Sequence, residues 1–148
     1  MRVLFVCTGN GSRSQIAEAL LRHEAGDRVD VVSGGSHPKP IHPNTITVLL
    51  ERGIDASTLR SKTYEEFATR PFDHVITLCD KVREICPEFP GHGSHRHWSV
   101  EDPSARSGTA RTTLPAFRAL AADLESRIRF LNLELANQSQ KETHRHGR

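Results

Sequence analysis

The stretch Arg2-Val3-Leu4-Phe5-Val6-Cys7-Thr8-Gly9-Asn10-Gly11-Ser12-Arg13-Ser14-Gln15-Ile16-Ala17 decides the fold. Residues 2–6 form an apolar run of the kind found in a strand covered on both faces. It is too short for a signal peptide and passes directly into a glycine-rich loop, so it reads as a strand. Beyond the loop, Ser14 is placed to cap a helix running to about Gly26, with Ile16, Ala17, Leu20 and Leu21 on its inner side. Strand, glycine-rich turn and helix in that order are the start of an α/β unit.

Outward from this unit the alternation continues. Residues Arg28–Ser33 read as a second strand ended by Gly34-Gly35, and Pro43 opens a helix that Gly53 stops. A short helix is expected around Thr63–Thr69, then a buried strand at Asp73-His74-Val75-Ile76-Thr77-Leu78. The stretch Pro87–Pro103 is rich in Pro, Gly, Ser and His and reads as loop, with His97-Trp98-Ser99-Val100 as a short fourth strand. Leu114, Phe117, Ala121, Leu124, Ile128 and Leu131 then recur every three or four residues, which specifies a long amphipathic helix. Past Leu135 the apolar period fades. The expectation is one α/β domain over residues 1–135, a parallel sheet flanked by helices, followed by a flexible tail at 136–148.

Bulk composition excludes several classes. With 148 residues, 36% hydrophobic and 26% charged, the chain suits a single globular domain. A net charge of +2 with scattered basic residues argues against nucleic acid or a membrane surface as partner. No apolar segment approaches the ~20 residues of a membrane span. Three cysteines without a secretion signal fit a reducing, cytoplasmic setting, where thiols are buried fillers, metal ligands or reactive groups.

Position distinguishes Cys7. It ends the first strand, and Arg13 follows after five residues that include Gly9 and Gly11. Glycines let successive N–H groups curl into an anion-binding nest, and the helix that follows directs its positive end to the same point. Arg13 adds a planar fork for two oxygens of a tetrahedral oxyanion. Thr8, Gly9, Asn10, Gly11, Ser12, Arg13 and Ser14 are therefore the candidate oxyanion-binding residues, and Cys7 the nucleophile they activate. Ser14 can hydrogen-bond the sulfur and Asn10 can brace the loop. Either Cys7 or Arg13 alone would be unremarkable; the full arrangement is specific.

Cys7-Thr8-Gly9-Asn10-Gly11-Ser12-Arg13-Ser14-Gln15 resembles the active-site loop of the low-molecular-weight protein tyrosine phosphatase superfamily, and within it the thioredoxin-coupled arsenate reductases. The resemblance extends through Val32-Ser33-Gly34-Gly35, Gly53-Ile54-Asp55, Thr77-Leu78-Cys79, Cys86-Pro87, His97-Trp98 and Asp102-Pro103, spanning residue 1 to about 130. It implies a four-stranded parallel sheet with the catalytic loop and the Asp102 loop meeting at one rim. It also implies roles: Cys7 attacks arsenate, Asp102 protonates the departing oxygen, Cys79 releases arsenite by forming a disulfide with Cys7, and Cys86 takes over Cys79. Thioredoxin or another thiol reductant would then restore the dithiol. Phosphate and sulfate would be weak ligands, with no cofactor, no metal and a monomeric enzyme.

Cys79 by itself, at the end of an apolar strand, is equally a buried small residue. Cys86 is different, because a charged segment, Asp80-Lys81-Val82-Arg83-Glu84, separates it from Cys79. Were residues 79–86 helical, their ends would stand roughly 10 Å apart, beyond the ~7 Å a disulfide spans. Oxidation is thus expected to rearrange this segment. The alternative is a phosphatase using Cys7 as nucleophile and Asp102 as general acid. Against phosphotyrosine stands Asp102-Pro103-Ser104-Ala105-Arg106, which offers no aromatic side chain. Zinc at Cys79, Cys86, His92, His95 and His97 fits no common spacing.

Two departures from the family pattern stand out. The reductases usually carry Ser-Cys where this loop has Gly11-Ser12. Some relatives bind potassium through Asn, Glu, Ser and Asp; here Asn10, Glu18 and Ser33 match, but Lys62 falls near the fourth place. A lysine ammonium paired with Glu18 would replace the cation, so no potassium dependence is expected.

Overall fold

The computed structural model describes residues 1–80, 86, 89–90, 93–104 and 108–146, with side chains described to residue 142. Four strands, β1 (Arg2–Cys7), β2 (Asp30–Gly35), β3 (His74–Thr77) and β4 (Ser94–His97), combine with helices α1 (Arg13–Ala25), α2 (Pro43–Leu50) and α3 (Ala110–His146). The strands lie in the order β2-β1-β3-β4, every pairing parallel. This is the four-stranded parallel sheet flanked by helices that the sequence predicts. No helix among the described residues is long and apolar enough to cross a membrane.

The apolar run at the start becomes the interior of the sheet. Val3, Leu4, Phe5 and Val6 are wholly buried, as a strand with neighbours on both edges and both faces requires. α3 supplies Phe117, Ala121, Leu124, Ile128 and Leu131 to the same core and packs against α1 and α2. From β1 the chain crosses to β2 on one side and later to β3 on the other. The crevice created by such a reversal lies at the carboxyl end of β1, where Cys7 stands.

Several boundaries differ from the sequence reading. The fourth strand is Ser94–His97, not His97–Val100. An edge strand needs no continuous apolar face, so Ser94 and His95 are exposed, and only single bonds continue past it: Trp98 N–H to Thr77 O (2.8 Å) and Val100 N–H to Leu78 O (3.3 Å). β2 runs through Gly34-Gly35 rather than stopping before them. A Cβ on Gly35 would lie 2.6 Å from Thr8 O, so glycine lets this strand pair right up to the loop. The region around Thr63–Thr69 forms one 3-10 turn, Tyr64–Phe67.

The tail is also corrected. α3 continues to His146, well past residue 135. Polar contacts replace the apolar stripe there: Glu134 pairs with Arg96 of β4, and Gln138 Oε1 accepts from His74 Nε2 of β3 at 2.9 Å. Apolar periodicity is blind to such bonds.

Candidate active site

The parallel register of β1 and β3 pairs Val6 with Thr77. Leu78 then donates to Val6 O at 2.8 Å, which carries Cys7 and Cys79 to the same edge of the sheet. A cavity of about 470 Å³ opens there, lined by every residue from Cys7 to Arg13 and by Cys79, Asp80, Val100 and Asp102 among others. The segments that the sequence marked as separate candidates thus line one cavity.

Cys7, a residue only 2% exposed, places its sulfur at the floor. The Asn10 N–H donates to it at 3.1 Å, and the Ser14 hydroxyl lies 2.8 Å away. Asn10 Nδ2 donates to Ser14 Oγ (2.8 Å) and Ser33 Oγ (3.0 Å), while its Oδ1 accepts from Gln15 Nε2 (2.8 Å) and the Lys62 N–H (3.0 Å). With Ser14 Oγ already accepting from Asn10, its own proton is available to the sulfur. Asn10 is also where the loop turns, at φ 50°. The left-handed residue of this loop is therefore Asn10, not Gly9 or Gly11; asparagine tolerates that conformation because its short side chain bonds locally. Gly11 matters for closeness instead, since a Cβ there would meet Pro40 O at 2.7 Å.

Ser14 does not cap the helix. α1 begins at Arg13 with Ser12 in the cap position, and Ser14 is spent on the sulfur and Asn10. It stands behind Cys7 and is not among the lining residues of the cavity.

Behind Asn10 lies a buried ionic chain. Ser33 Oγ donates to Glu18 Oε1 at 3.0 Å, and the Lys62 ammonium stands 3.6 Å from the same oxygen. The Lys62 and Glu18 side chains are 9% and 6% exposed. Burial pushes the Lys62 ammonium below its ordinary pKa, and the neighbouring Glu18 carboxylate opposes that shift. The expected Lys62–Glu18 pair is present. It connects through Ser33 and Asn10 to the hydrogen bonds on Cys7.

On the facing wall, Arg13 Nη1 donates to Val100 O at 3.1 Å and its Nη2 lies 3.9 Å from Asp102 Oδ2. Asp102 accepts from the Ser104 N–H (3.0 Å) and hydroxyl (2.7 Å), a local turn that fixes its position over the cavity. Cys79 is buried, and its sulfur lies 3.0 Å from the Thr8 hydroxyl. Cys7, Arg13, Cys79 and Asp102 are thereby brought together.

Cys86 is not brought to this cavity. It is half-buried beside the core and in no disulfide, and burial pushes its thiol up to about 11. The expected rearrangement between Cys79 and Cys86 falls on residues 81–85, outside the described residues.

Sequence reasoning missed Lys39 and His42 on the cavity wall, and the bonds around Asp80. The His97-Trp98 motif and the acidic residue directly after Cys79 were the available signals.

Comparison with known proteins fits this geometry. Residues 2–141 match the family described as low molecular weight phosphotyrosine protein phosphatase. An arsenate reductase of Halalkalibacterium halodurans is 34% identical over 127 residues, covering 86% of this chain and 91% of that protein. A solved arsenate reductase in the phosphate-binding state superposes with a TM-score of 0.78 at 30% identity, over 90% of this chain and 98% of its own. A thioredoxin-dependent arsenate reductase of Corynebacterium glutamicum gives a TM-score of 0.74 at 34% identity, over 93% of this chain and 62% of its own. Cys7 loop, parallel sheet and a family match over residues 2–141 agree, and the chain belongs to the low molecular weight phosphotyrosine protein phosphatase family.

Proposed function

We propose that this chain is a cytoplasmic, monomeric arsenate reductase in which Cys7, Cys79 and Cys86 pass two electrons from thioredoxin, or a comparable thiol reductant, to arsenate. The observation that carries this reading is the second thiol: Cys79 lines the cavity that Cys7 floors, held at 3.0 Å from the Thr8 hydroxyl. A phosphatase has no need of it.

In the proposed sequence, the loop N–H groups and Arg13 bind the oxyanion. The Cys7 sulfur forms a bond to arsenic while one oxygen leaves as water, protonated by Asp102. Cys79 then attacks the Cys7 sulfur. The sulfur–arsenic bond breaks with its electron pair going to arsenic, so arsenic(V) leaves as arsenite and a Cys7–Cys79 disulfide remains. Cys86 attacks Cys79, returning Cys7 as a thiolate and leaving a Cys79–Cys86 disulfide for the dithiol reductant to reduce. The high thiol pKa of Cys86 in its present surroundings supports a movement before that last attack, because the thiolate is the nucleophile.

Arg13, Cys7 and Asp102 equally compose a phosphatase site, so slow hydrolysis of small phosphate esters is expected beside reduction. The deciding experiment is arsenate-dependent NADPH consumption with thioredoxin and its reductase, comparing wild type with Cys79→Ser and Cys86→Ser. Loss of turnover in both supports the relay. Normal turnover in both refutes it and leaves the phosphatase reading.

A further inference from the structure

Cys79 is followed by a carboxylate that is tied to the opposite side of the cavity mouth. His97 Nε2 lies 2.7 Å from Asp80 Oδ1, and the Ser99 hydroxyl donates to the same oxygen at 3.2 Å. A carboxylate only accepts, so Nε2 carries the hydrogen toward Asp80, and Nδ1 of the same ring lies 2.7 Å from the Thr77 hydroxyl. The Asp80 side chain is nevertheless 79% exposed, while His97 is 13% exposed. A mostly solvated carboxylate is thus gripped by an ordered, sheet-borne histidine.

The segment that supplies the grip also reaches the anion site. Trp98 is bonded to Thr77 O, Val100 to Leu78 O, and Val100 O accepts from Arg13. His97 and Ser99 therefore sit on a strap fixed to the end of β3 and to the oxyanion-binding guanidinium. We propose that Asp80, clamped by His97 and Ser99, is the positioning residue that holds the Cys79 thiol against Thr8 in the dithiol enzyme, and that the clamp opens when Cys79 pairs with Cys86. The proposal rests on the relay reading above. Among the described residues, the Cys79 thiol is hydrogen-bonded at Thr8. The backbone that carries it is held by the residue that follows, whose contact is exposed enough to break without uncovering the core.

A contact made only in the dithiol form stabilises that form. Asp80→Ala and His97→Phe are expected to lower kcat for arsenate about tenfold, with KM for arsenate and affinity for inorganic phosphate unchanged. Asp80→Asn, which keeps an acceptor for His97 and Ser99, restores most of the rate. In a Cys7→Ser background, where the other two thiols remain, Asp80→Ala moves the dithiol–disulfide equilibrium about tenfold toward the disulfide, or about 30 mV for a two-electron couple. The Asp80→Ala, His97→Phe double variant is no slower than either single one, as expected of one shared contact. Unchanged kcat and unchanged equilibrium in the single variants overturn the clamp while leaving the relay intact. A rate loss without the redox shift, additive losses in the double variant, or weakened phosphate binding also overturn it. Normal turnover by Cys79→Ser is a separate result that removes the relay itself.

Discussion

The two sulfurs in the cavity are held by opposite kinds of surroundings. Cys7 is fixed from behind: Ser14, Asn10, Ser33, Glu18 and Lys62 form a buried chain of bonds, each group satisfied by the next. Cys79 is fixed from the rim, by the Thr8 hydroxyl and by a neighbouring carboxylate that itself faces water. Buried networks resist displacement because opening one leaves desolvated polar groups unpaired. Bonds at a wet rim exchange with water at small net cost. An oxyanion cradle has to stay put while substrate comes and goes, whereas a thiol that must meet two different partners has to move. The contrast suits a reaction in which one sulfur waits and the other travels.

The largest test of this contrast removes the travelling sulfur. Cys79→Ser is expected to cut arsenate reduction by about 10³-fold or more, while hydrolysis of p-nitrophenyl phosphate stays within about twofold. Parallel losses in both assays would mean that Cys79 supports the cradle and does not travel.

The converse test damages the cradle. Asn10→Ala deletes four side-chain hydrogen bonds and the residue that turns the loop at φ 50°. Expected are a loss of roughly 10²-fold in both activities and about 2–3 kcal/mol of stability by urea denaturation. A variant with normal phosphate ester hydrolysis would show that Asn10 is dispensable to the nest.

Cys86 sharpens the comparison through pH. Its thiol is raised to about 11 by burial, so below that value the thiolate fraction climbs about tenfold for each pH unit. Alkylation of Cys86 by iodoacetamide in the reduced enzyme should rise accordingly from pH 7 to pH 10. After oxidation of Cys7 and Cys79 it should be faster at any fixed pH. A rate independent of pH would place Cys86 in ordinary solvent already.

The smallest effect concerns Lys62. Lys62→Met leaves the buried Glu18 carboxylate with Arg22, half exposed, as its remaining ion-pair partner. About 2 kcal/mol of stability and a few-fold of activity are expected to go, less than for a wholly isolated buried charge. Potassium should restore part of the activity in that variant and do nothing for the wild type. Stimulation of the wild type would show that the ammonium does not do the work of a cation.

How legible these features were depended on their range. The β1 strand, the Cys7 loop and the α1 helix are contiguous, so their chemistry is written in consecutive letters. The apolar stripe of α3 is similarly local, and Phe117, Leu124 and Ile128 are all wholly buried. β4 was misplaced because an edge strand is stabilised by pairing with β3, which leaves no periodic mark on Ser94–His97. The continuation of α3 past residue 135 was missed for a related reason: Glu134 and Gln138 are polar residues whose partners, Arg96 and His74, lie far away in sequence.

By itself the sequence determined the fold class, the oxyanion loop with its nucleophile, and the three thiols at their spacings, because each rests on residues adjacent along the chain. Tertiary structure decided that Cys79 and Asp102 share a cavity with Cys7, that Asn10 rather than a glycine makes the turn, and that Lys62 faces Glu18. The first and last depend on strand order and on residues meeting across more than forty positions, and the Asn10 turn on partners that the fold brings to its side chain. Parallel pairing of β1 with β3 brings Cys79 beside Cys7, and the pairing of Gly35 with the Lys62–Thr63 segment brings Lys62 to the site; neither has a counterpart in any local run of letters.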